Sequence, residues 1–375
     1  MTMLPMRSMT YWPMMVSSML SQSPLLNFLA DHSSAAHLDA EGWSLLLAEA
    51  RACGVMARVA KVLAQDYPAL LSSHAPPQVM PHIIAATRQS DSLANDVQRE
   101  LSFLSDALAG VGTPTLLLKG AAYCAASLPA ARGRIFSDID LLVAPPFLAQ
   151  AEAALMLGGW ASGKHDDYDQ RYYREWSHEI PPMVHLQRGT TIDLHHSLTM
   201  PTCRIRIDSR RMIEEAVALP GKGNWFRLKD EDMVLHAASH LLLNSEFDRG
   251  LRDLWDIDLL MRHFETTTPN FANWVLVRAE AVGLSRIVRS AFALCHRFFR
   301  TPLPGQALAS SSSLMVLLAC SANTRHPQTR PRLQGAADQL LFMRELALRL
   351  PAHLLVRHLW HKATVRIRPK ENVPV

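Results

Sequence analysis

Two aspartates, Asp138 and Asp140, stand two positions apart in the stretch Ser137–Val143, which reads SDIDLLV. Successive side chains of a β-strand alternate between its faces, so both carboxylates are expected to point the same way. Like charges at that spacing repel unless a cation lies between them. Because carboxylate oxygens suit magnesium and manganese, the pattern predicts a divalent metal site at the mouth of a strand. By itself, an Asp-x-Asp at a strand end is also a common turn or cap device.

A third acid has the same unusual setting some fifty residues later. Asp193 lies in the apolar stretch Thr191–His195, between Ile192 and Leu194, much as Asp140 lies between two apolar neighbours. Two metal ions that clamp the oxygens of an in-line phosphoryl displacement require about three convergent carboxylates. We therefore expect Asp193 to lie on a neighbouring strand and to face the same side as Asp138 and Asp140.

The segments around these acids alternate between strand and helix patterns, which predicts a small mixed sheet with helices packed on it. The predicted elements are a strand Thr115–Leu118, a helical turn Gly120–Ala126, a strand Ile135–Val143, a helix Phe147–Leu157, and a hairpin of Met183–Leu186 with Thr190–Leu194 that turns at Arg188-Gly189.

Helical periodicity dominates on both sides of this core, for example in a long helix predicted from Pro81 to Ala109. The predicted fold class is α/β of the α+β kind, with a small mixed sheet flanked by an N-terminal and a larger C-terminal helical region. The expected organisation is a poorly ordered segment over 1–23, helices over 24–110, the core over 111–205, and helices over 206–375.

Composition excludes some functions. The 375 residues carry a net charge of only +4, and the arginines are dispersed, which argues against a dedicated nucleic-acid surface. No apolar run reaches about 18 residues, so no membrane span is predicted. The five cysteines are far apart and form no CxxC pair, which predicts neither a zinc site nor disulfides and fits a reducing cytoplasm. The oligomeric state is left open.

The combination of motifs resembles a known group of enzymes. A glycine-containing turn after a first strand, an Asp-x-Asp on the second and an Asp on a later strand is the layout of the DNA polymerase β-like nucleotidyltransferase superfamily. The details are closest to its bacterial uncharacterised nucleotidyltransferase family. The segments that carry this resemblance are Leu118-Lys119-Gly120, Arg134, Ser137–Val143 and Ile192–His195. The resemblance covers roughly residues 40 to 265.

The resemblance implies transfer of a nucleoside monophosphate from an NTP, such as ATP, to an unknown acceptor, either a small molecule or a protein. Magnesium or manganese would be held by Asp138, Asp140 and Asp193, and Asp193 would complete this site or act as the general base. The residues expected at the nucleotide are Lys119, Gly120, Arg134 and Ser137.

The turn departs from the superfamily pattern, because Lys119-Gly120 replaces the usual Gly-Ser. Gly120 would let backbone N–H groups approach phosphates. Lys119 would pair either with the triphosphate or with Asp138. Arg134 would contact phosphate or brace the acidic turn.

Other polar side chains have ambiguous roles. We expect His195 to be a packed or supporting histidine, and Asp253 and Asp256 to cap or bridge helices. His236 and His240 stand four apart on one helix but lack an obvious third metal ligand. A cluster of aromatic residues either stacks on a substrate or packs as a half-buried loop; its members are Tyr168, Tyr172, Tyr173 and Trp176.

The sequence leaves two alternatives to a nucleotidyltransferase open. The first is a catalytically inactive relative that acts as an interaction or antitoxin-like protein; the three intact acids argue against it. The second is a metal-dependent phosphohydrolase built on the His-Asp pair His165-Asp166, which lies in a charged loop rather than on a helix.

Overall fold

The structure is a computed structural model that describes residues 23–163, 171–221, 223–243, 247–308, 312–357 and 360. The predicted disordered segment, apart from Ser23, lies outside the described residues. Tyr168 and the pair His165-Asp166 also lie outside them.

The centre of the fold is a mixed sheet, which has seven strands within the described residues and the order β3-β4-β5-β2-β1-β7-β6. Strand β2 is parallel to β5 and antiparallel to β1, and β1 is parallel to β7. The outer pairs, β3 with β4, β4 with β5 and β6 with β7, are antiparallel. The strands are β1 Thr115–Leu117, β2 Ile139–Leu142, β3 Trp160–Ser162, β4 Met183–His185, β5 Thr191–His195, β6 Val217–Ala218 and β7 Trp225–Arg227.

A first set of α-helices precedes the strands in the chain or lies between them. They are α1 Pro24–Ala30, α2 Ala40–Ala52, α3 Met56–Lys61, α4 Pro68–His74, α5 Val79–Leu108, α6 Lys119–Ala125, α7 Leu148–Leu157 and α8 Ser209–Glu214. Helix α2 begins at Asp39, whose carboxylate accepts a hydrogen bond from the Gly42 N–H at 2.8 Å. Such a cap satisfies one of the free N–H groups at a helix start and stabilises it by about 1 kcal/mol.

The second half of the chain is a helical layer made of α9 Asp230–Leu243, α10 Gly250–Thr267, α11 Phe271–Ala281, α12 Ser285–Phe299, α13 Ser313–Ser321 and α14 Gln334–Arg349. One continuous hydrophobic core runs from α1 and α2 through the sheet into these helices. Trp43, Trp160 and Phe292, from three different parts of the chain, are fully buried in it. Each such side chain contributes on the order of 1.5–3 kcal/mol through removal of apolar surface from water.

The predicted fold class is confirmed, and the predicted hairpin of β4 and β5 pairs in the antiparallel register Met183↔Ile192. The second strand is shorter than predicted, because it starts at Ile139 rather than at Ile135. The preceding residues leave the sheet because Arg134 is held by Asp256 of α10 at 2.8 Å.

Two strands of the sheet, β6 and β7, come from residues after 205, in the region for which helices were expected. Both are short, with two and three residues, and a run of that length has no readable period. β7 joins the sheet through its parallel pairing with β1.

Among the described residues, no helix combines the length and apolarity that a membrane crossing requires. The five cysteines lie outside any disulfide, and four of them are buried.

Candidate active site

The register between β2 and β5 brings two aspartates side by side. Asp140 pairs with Asp193 across the two parallel strands, and Ile139 pairs with Ile192. Paired residues of parallel strands point to the same face, so the two carboxylates share one side of the sheet while the two buried isoleucines share the other. Asp138 lies two residues before Asp140, and all three aspartates line one cavity of about 280 Å³. The structure therefore brings together the three acids singled out in the sequence.

Asp140 is the aspartate with neighbouring positive charge. Its Oδ1 accepts a hydrogen bond from Lys119 Nζ at 2.9 Å and lies 3.0 Å from Nε2 of His195. Burial by itself would raise the pKa of this carboxyl, but Lys119 and His195 outweigh it and hold the pKa well below the usual range. Within the described part of the chain, Oδ2 of Asp140 accepts no hydrogen bond and remains open to a ligand.

Asp193 has the opposite environment. Burial, followed by the negative charges of Asp140, Glu179 and Asp138, raises the pKa of its carboxyl to about 7. Its Oδ1 is buried and has no hydrogen-bond partner among the described residues. Two carboxylates in register thus have pKa values pushed far apart, an arrangement that is typical of a pair with separate acid–base roles.

This donor set fits a divalent cation. An unpaired buried carboxylate oxygen is costly, and several carboxylates around one cavity leave negative charge that a cation would neutralise. Asp138, Asp140 and Asp193 offer the oxygen ligands that magnesium and manganese prefer. A second group of possible metal ligands lies beside them. It consists of His178, Glu179 and His195, which each offer one ligand atom, and these atoms lie within 4.8 Å of one another.

Lys119 begins α6 with a φ of +43°, in the left-handed region that residues other than glycine seldom occupy. Strain of this kind persists where surrounding contacts fix it, often at functional sites. The conformation places Nζ on Asp140, not on Asp138 as the ion-pair interpretation of the sequence supposed. Burial would lower the pKa of Lys119, but Asp140 outweighs it and raises that pKa, so Lys119 stays charged.

Gly120 is required by packing against Arg134. A Cβ at this position would collide with the Arg134 guanidinium and would lie 2.7 Å from a ring carbon of Phe136. Arg134 itself is buried and donates from Nε to Asp256 Oδ2 at 2.8 Å, so it braces the fold near the acidic turn. The structure gives Arg134 this contact with Asp256, and the expected phosphate contact of Arg134 stays a prediction.

Asp256 accepts from a second arginine as well, because Arg58 Nη2 lies 2.6 Å from its Oδ1. We name Arg58, Arg134 and Asp256 the arginine clamp. It joins α3, the segment before β2, and α10, which agrees with the expectation that Asp256 bridges helices.

Ser137 lies exposed at the rim of the cavity. Its hydroxyl donates to Asp138 Oδ1 at 3.1 Å and accepts from Arg249 Nη1 at 3.4 Å. Two further arginines line the cavity: Arg252 pairs with Asp253 at 2.7 Å, and Arg349 of α14 donates from Nε to the Leu243 carbonyl at 2.7 Å. The cavity therefore combines an acidic floor with several guanidinium groups, a combination suited to a metal-bound polyphosphate.

The comparison with known proteins assigns the family. The family model described as "uncharacterised nucleotidyltransferase" matches residues 39–300, which is more than half of the chain and includes the three aspartates. The chain belongs to this family. No curated protein and no solved structure matches the chain.

The sequence did not single out Glu179 as a site residue. It reaches the cavity because its backbone forms an isolated antiparallel bridge with His195 at the end of β5. The only signal was an acid directly before the apolar Ile180, as at Asp140 and Asp193. Arg349 was missed because it lies beyond the matched residues and reaches the cavity only through tertiary packing.

The histidines at and near the cavity have different environments. His195 supports Asp140 as described, whereas burial lowers the pKa of His236 to about 3 and that of His240 well below its usual value. Neither belongs to a group of three possible metal ligands within the described residues. His240 lines the cavity, as do Tyr172 and Tyr173, whose rings contact each other edge to face at 5.7 Å.

Proposed function

We propose that this protein is a metal-dependent nucleotidyltransferase that moves a nucleoside monophosphate from an NTP to an acceptor. The supporting observation is the in-register pair Asp140 and Asp193, which shares one cavity with Asp138 and in which Oδ1 of Asp193 has no hydrogen-bond partner among the described residues. Asp193 is half-buried, but a buried oxygen without a partner is costly to stability, and a catalytic or metal-binding use is the physical reason to keep it.

The reaction forms a bond from an acceptor atom to the α-phosphorus and breaks the bond between that phosphorus and the oxygen of the β-phosphate. Pyrophosphate leaves, and the acceptor loses a proton. We assign that proton to Asp193, which lines the cavity and whose Oδ1 has no hydrogen-bond partner among the described residues. Asp138 and Asp140 would hold magnesium or manganese, which neutralises phosphate charge when it is bound.

Lys119 and Arg349 would position the negative phosphates. Lys119 is a compact cation beside Asp140, and Arg349 reaches the same cavity from the helical layer. In phosphoryl transfer, positioning and charge stabilisation supply most of the rate enhancement. These residues therefore act on substrate binding, while the aspartates act on the chemical step.

The decisive experiment incubates the purified protein with each α-labelled NTP, Mn²⁺ or Mg²⁺, and cell extract as the source of acceptor. We expect label transfer by the wild type and none by the variant Asp138→Ala/Asp140→Ala. Asp106→Asn serves as the matched control, because Asp106 is an exposed acid at the end of α5, away from the cavity. No transfer by the wild type, or equal transfer by the double variant, would refute the proposal.

A catalytically inactive relative with an interaction role is the second candidate, and one observation favours it. Lys119 already neutralises Oδ1 of Asp140, which reduces the charge available to a metal ion. Calorimetric titration with Mn²⁺ separates the two candidates. The inactive relative predicts no binding that depends on Asp138 and Asp140, whereas the enzyme predicts binding that the double variant loses.

A further inference from the structure

A second cavity, of about 470 Å³, lies next to the acidic one and shares part of its wall, namely Ser137, Arg249 and Arg252. It opens between the end of α2, helix α5 and the segment that leads into β2. Its volume is in the range of small-molecule sites. We call it the basic cavity.

The charges of the basic cavity have one sign. Its ionisable lining residues are Arg51, His82, Arg249 and Arg252, and no carboxylate side chain is among the described residues that line it. The cavity that holds the three aspartates, which we call the acidic cavity, is by contrast lined by aspartates and Glu179 as well as by cations. A cavity walled by cations attracts anionic ligands and raises their local concentration.

Two of these arginines lack an acidic partner in the part of the chain that the structure describes. Neither Arg51 nor Arg249 has a carboxylate there within ion-pair distance, and the side-chain hydrogen bond that Arg249 makes there is to the Ser137 hydroxyl, at 3.4 Å. Both side chains are exposed, so their positions do not follow from core packing. Guanidinium groups in this state suit bidentate contacts with phosphate or carboxylate.

The remaining wall of the basic cavity is apolar. Met56, Ile135 and Phe136 line it together with small alanines of α5. A ligand that fills it would therefore carry an anionic group toward Arg51 and Arg249 and an apolar part toward Phe136. A free phosphate ion would leave the apolar wall unused.

We propose that the basic cavity binds the acceptor, and that the acceptor is a small molecule with a phosphate or carboxylate group and an apolar part. The acceptor role rests on the proposed function, whereas anion binding in this cavity does not. The basic cavity shares the wall at Ser137, Arg249 and Arg252 with the cavity that Asp138 lines, where transfer would occur.

Phenyl phosphate is the probe for anion binding, measured by calorimetry in EDTA so that no metal ion contributes. We expect Arg51→Ala/Arg249→Ala to weaken its binding by about tenfold or more, as loss of charge-assisted hydrogen bonds implies. Arg88→Ala/Arg286→Ala removes the same charge from exposed sites outside both cavities and should leave binding unchanged. No binding, or equal binding in all variants, would overturn the proposal.

Acidic peptides provide the test for a macromolecular acceptor. A glutamate-rich peptide that binds through Arg51 and Arg249 while phenyl phosphate does not would overturn the small-molecule assignment. Binding of phenyl phosphate but not of the neutral phenol supports the assignment, because phenol lacks the charge that the arginines would recognise.

The acceptor role has its own test, in which phenyl phosphate is titrated into protein saturated with Mg²⁺ and α,β-methylene ATP. We expect both ligands to bind together. Competition between them would make the basic cavity part of the nucleotide site and would overturn the acceptor role. If the analogue does not bind at all, the proposed function fails and the acceptor role with it, while the result in EDTA still decides anion binding.

Discussion

Two acidic sites in this molecule have opposite environments. In the arginine clamp, the buried Asp256 accepts from Arg58 at 2.6 Å and from Arg134 at 2.8 Å, one on each oxygen. On the central strand β5, the half-buried Asp193 has an oxygen with no partner in the described part of the chain, and burial followed by the charges of three other acids raises its pKa. A fully paired acid contributes to structure, whereas an acid left unpaired costs stability and indicates a function that needs it.

The largest expected effect comes from Asp193→Asn, which keeps the shape of the side chain and removes its charge. We expect transfer to fall by roughly 10²–10⁴-fold, the range for loss of a general base. The folded protein should become more stable, because Asp193 is repelled by Asp140, Glu179 and Asp138. Rate assays measure the loss of transfer, and urea unfolding measures the gain in stability. Lower stability of the variant would mean that Asp193 supports the fold, as Asp256 does.

In the arginine clamp, by contrast, removal of the acid should lower the stability of the folded protein. Asp256→Ala leaves two buried guanidinium groups without their carboxylate, and we expect a loss of about 3–5 kcal/mol in the free energy of unfolding. Urea titration followed by circular dichroism measures it. If the variant lost less than about 1 kcal/mol, the clamp would be no more than a surface-type ion pair.

Metal binding should raise the stability of the folded protein, and this gain should depend on Asp138 and Asp140. At a Mn²⁺ concentration about 100 times its Kd, the wild type should gain about 2.7 kcal/mol, and Asp138→Ala/Asp140→Ala should gain nothing. Thermal unfolding with and without EDTA reports the shift, with Asp106→Asn as the control that should match the wild type. An equal shift in the double variant would place the metal elsewhere.

The smallest expected effect concerns the strained lysine. Both Lys119→Ala and Lys119→Gly remove the partner of Asp140, but only glycine tolerates the φ of +43° without strain. We therefore expect the glycine variant to be more stable than the alanine variant by about 1 kcal/mol, measured by urea unfolding. Equal stability would mean that the backbone of residue 119 carries no strain.

The sequence predicted the parts of this site that depend on local pattern. Asp138, Asp140 and Asp193 each stand beside an apolar strand segment, and strand alternation is enough to assign their faces. The fold class followed from the same alternation. Glu179, by contrast, depends on an isolated bridge to His195, and no local period signals such a contact.

The ion-pair partners were harder to predict. Arg134 and Asp256 are 122 positions apart in the chain. Lys119 pairs with Asp140, although Asp138 was an equally plausible partner. A single sequence gives residue types but not which of two nearby charges a flexible side chain reaches. The catalytic and metal-binding roles of the site residues stay predictions.

The sheet also has a consequence for how the chain folds. Strand β1 pairs with β7, which follows roughly 110 residues later, and β2 pairs in parallel with β5. Until β7 leaves the ribosome, one edge of β1 is an unpaired strand edge, the kind of surface on which nascent chains aggregate. Such distant pairing closes long loops before it gains contacts, so refolding of this protein should be slow compared with that of helical bundles of similar stability.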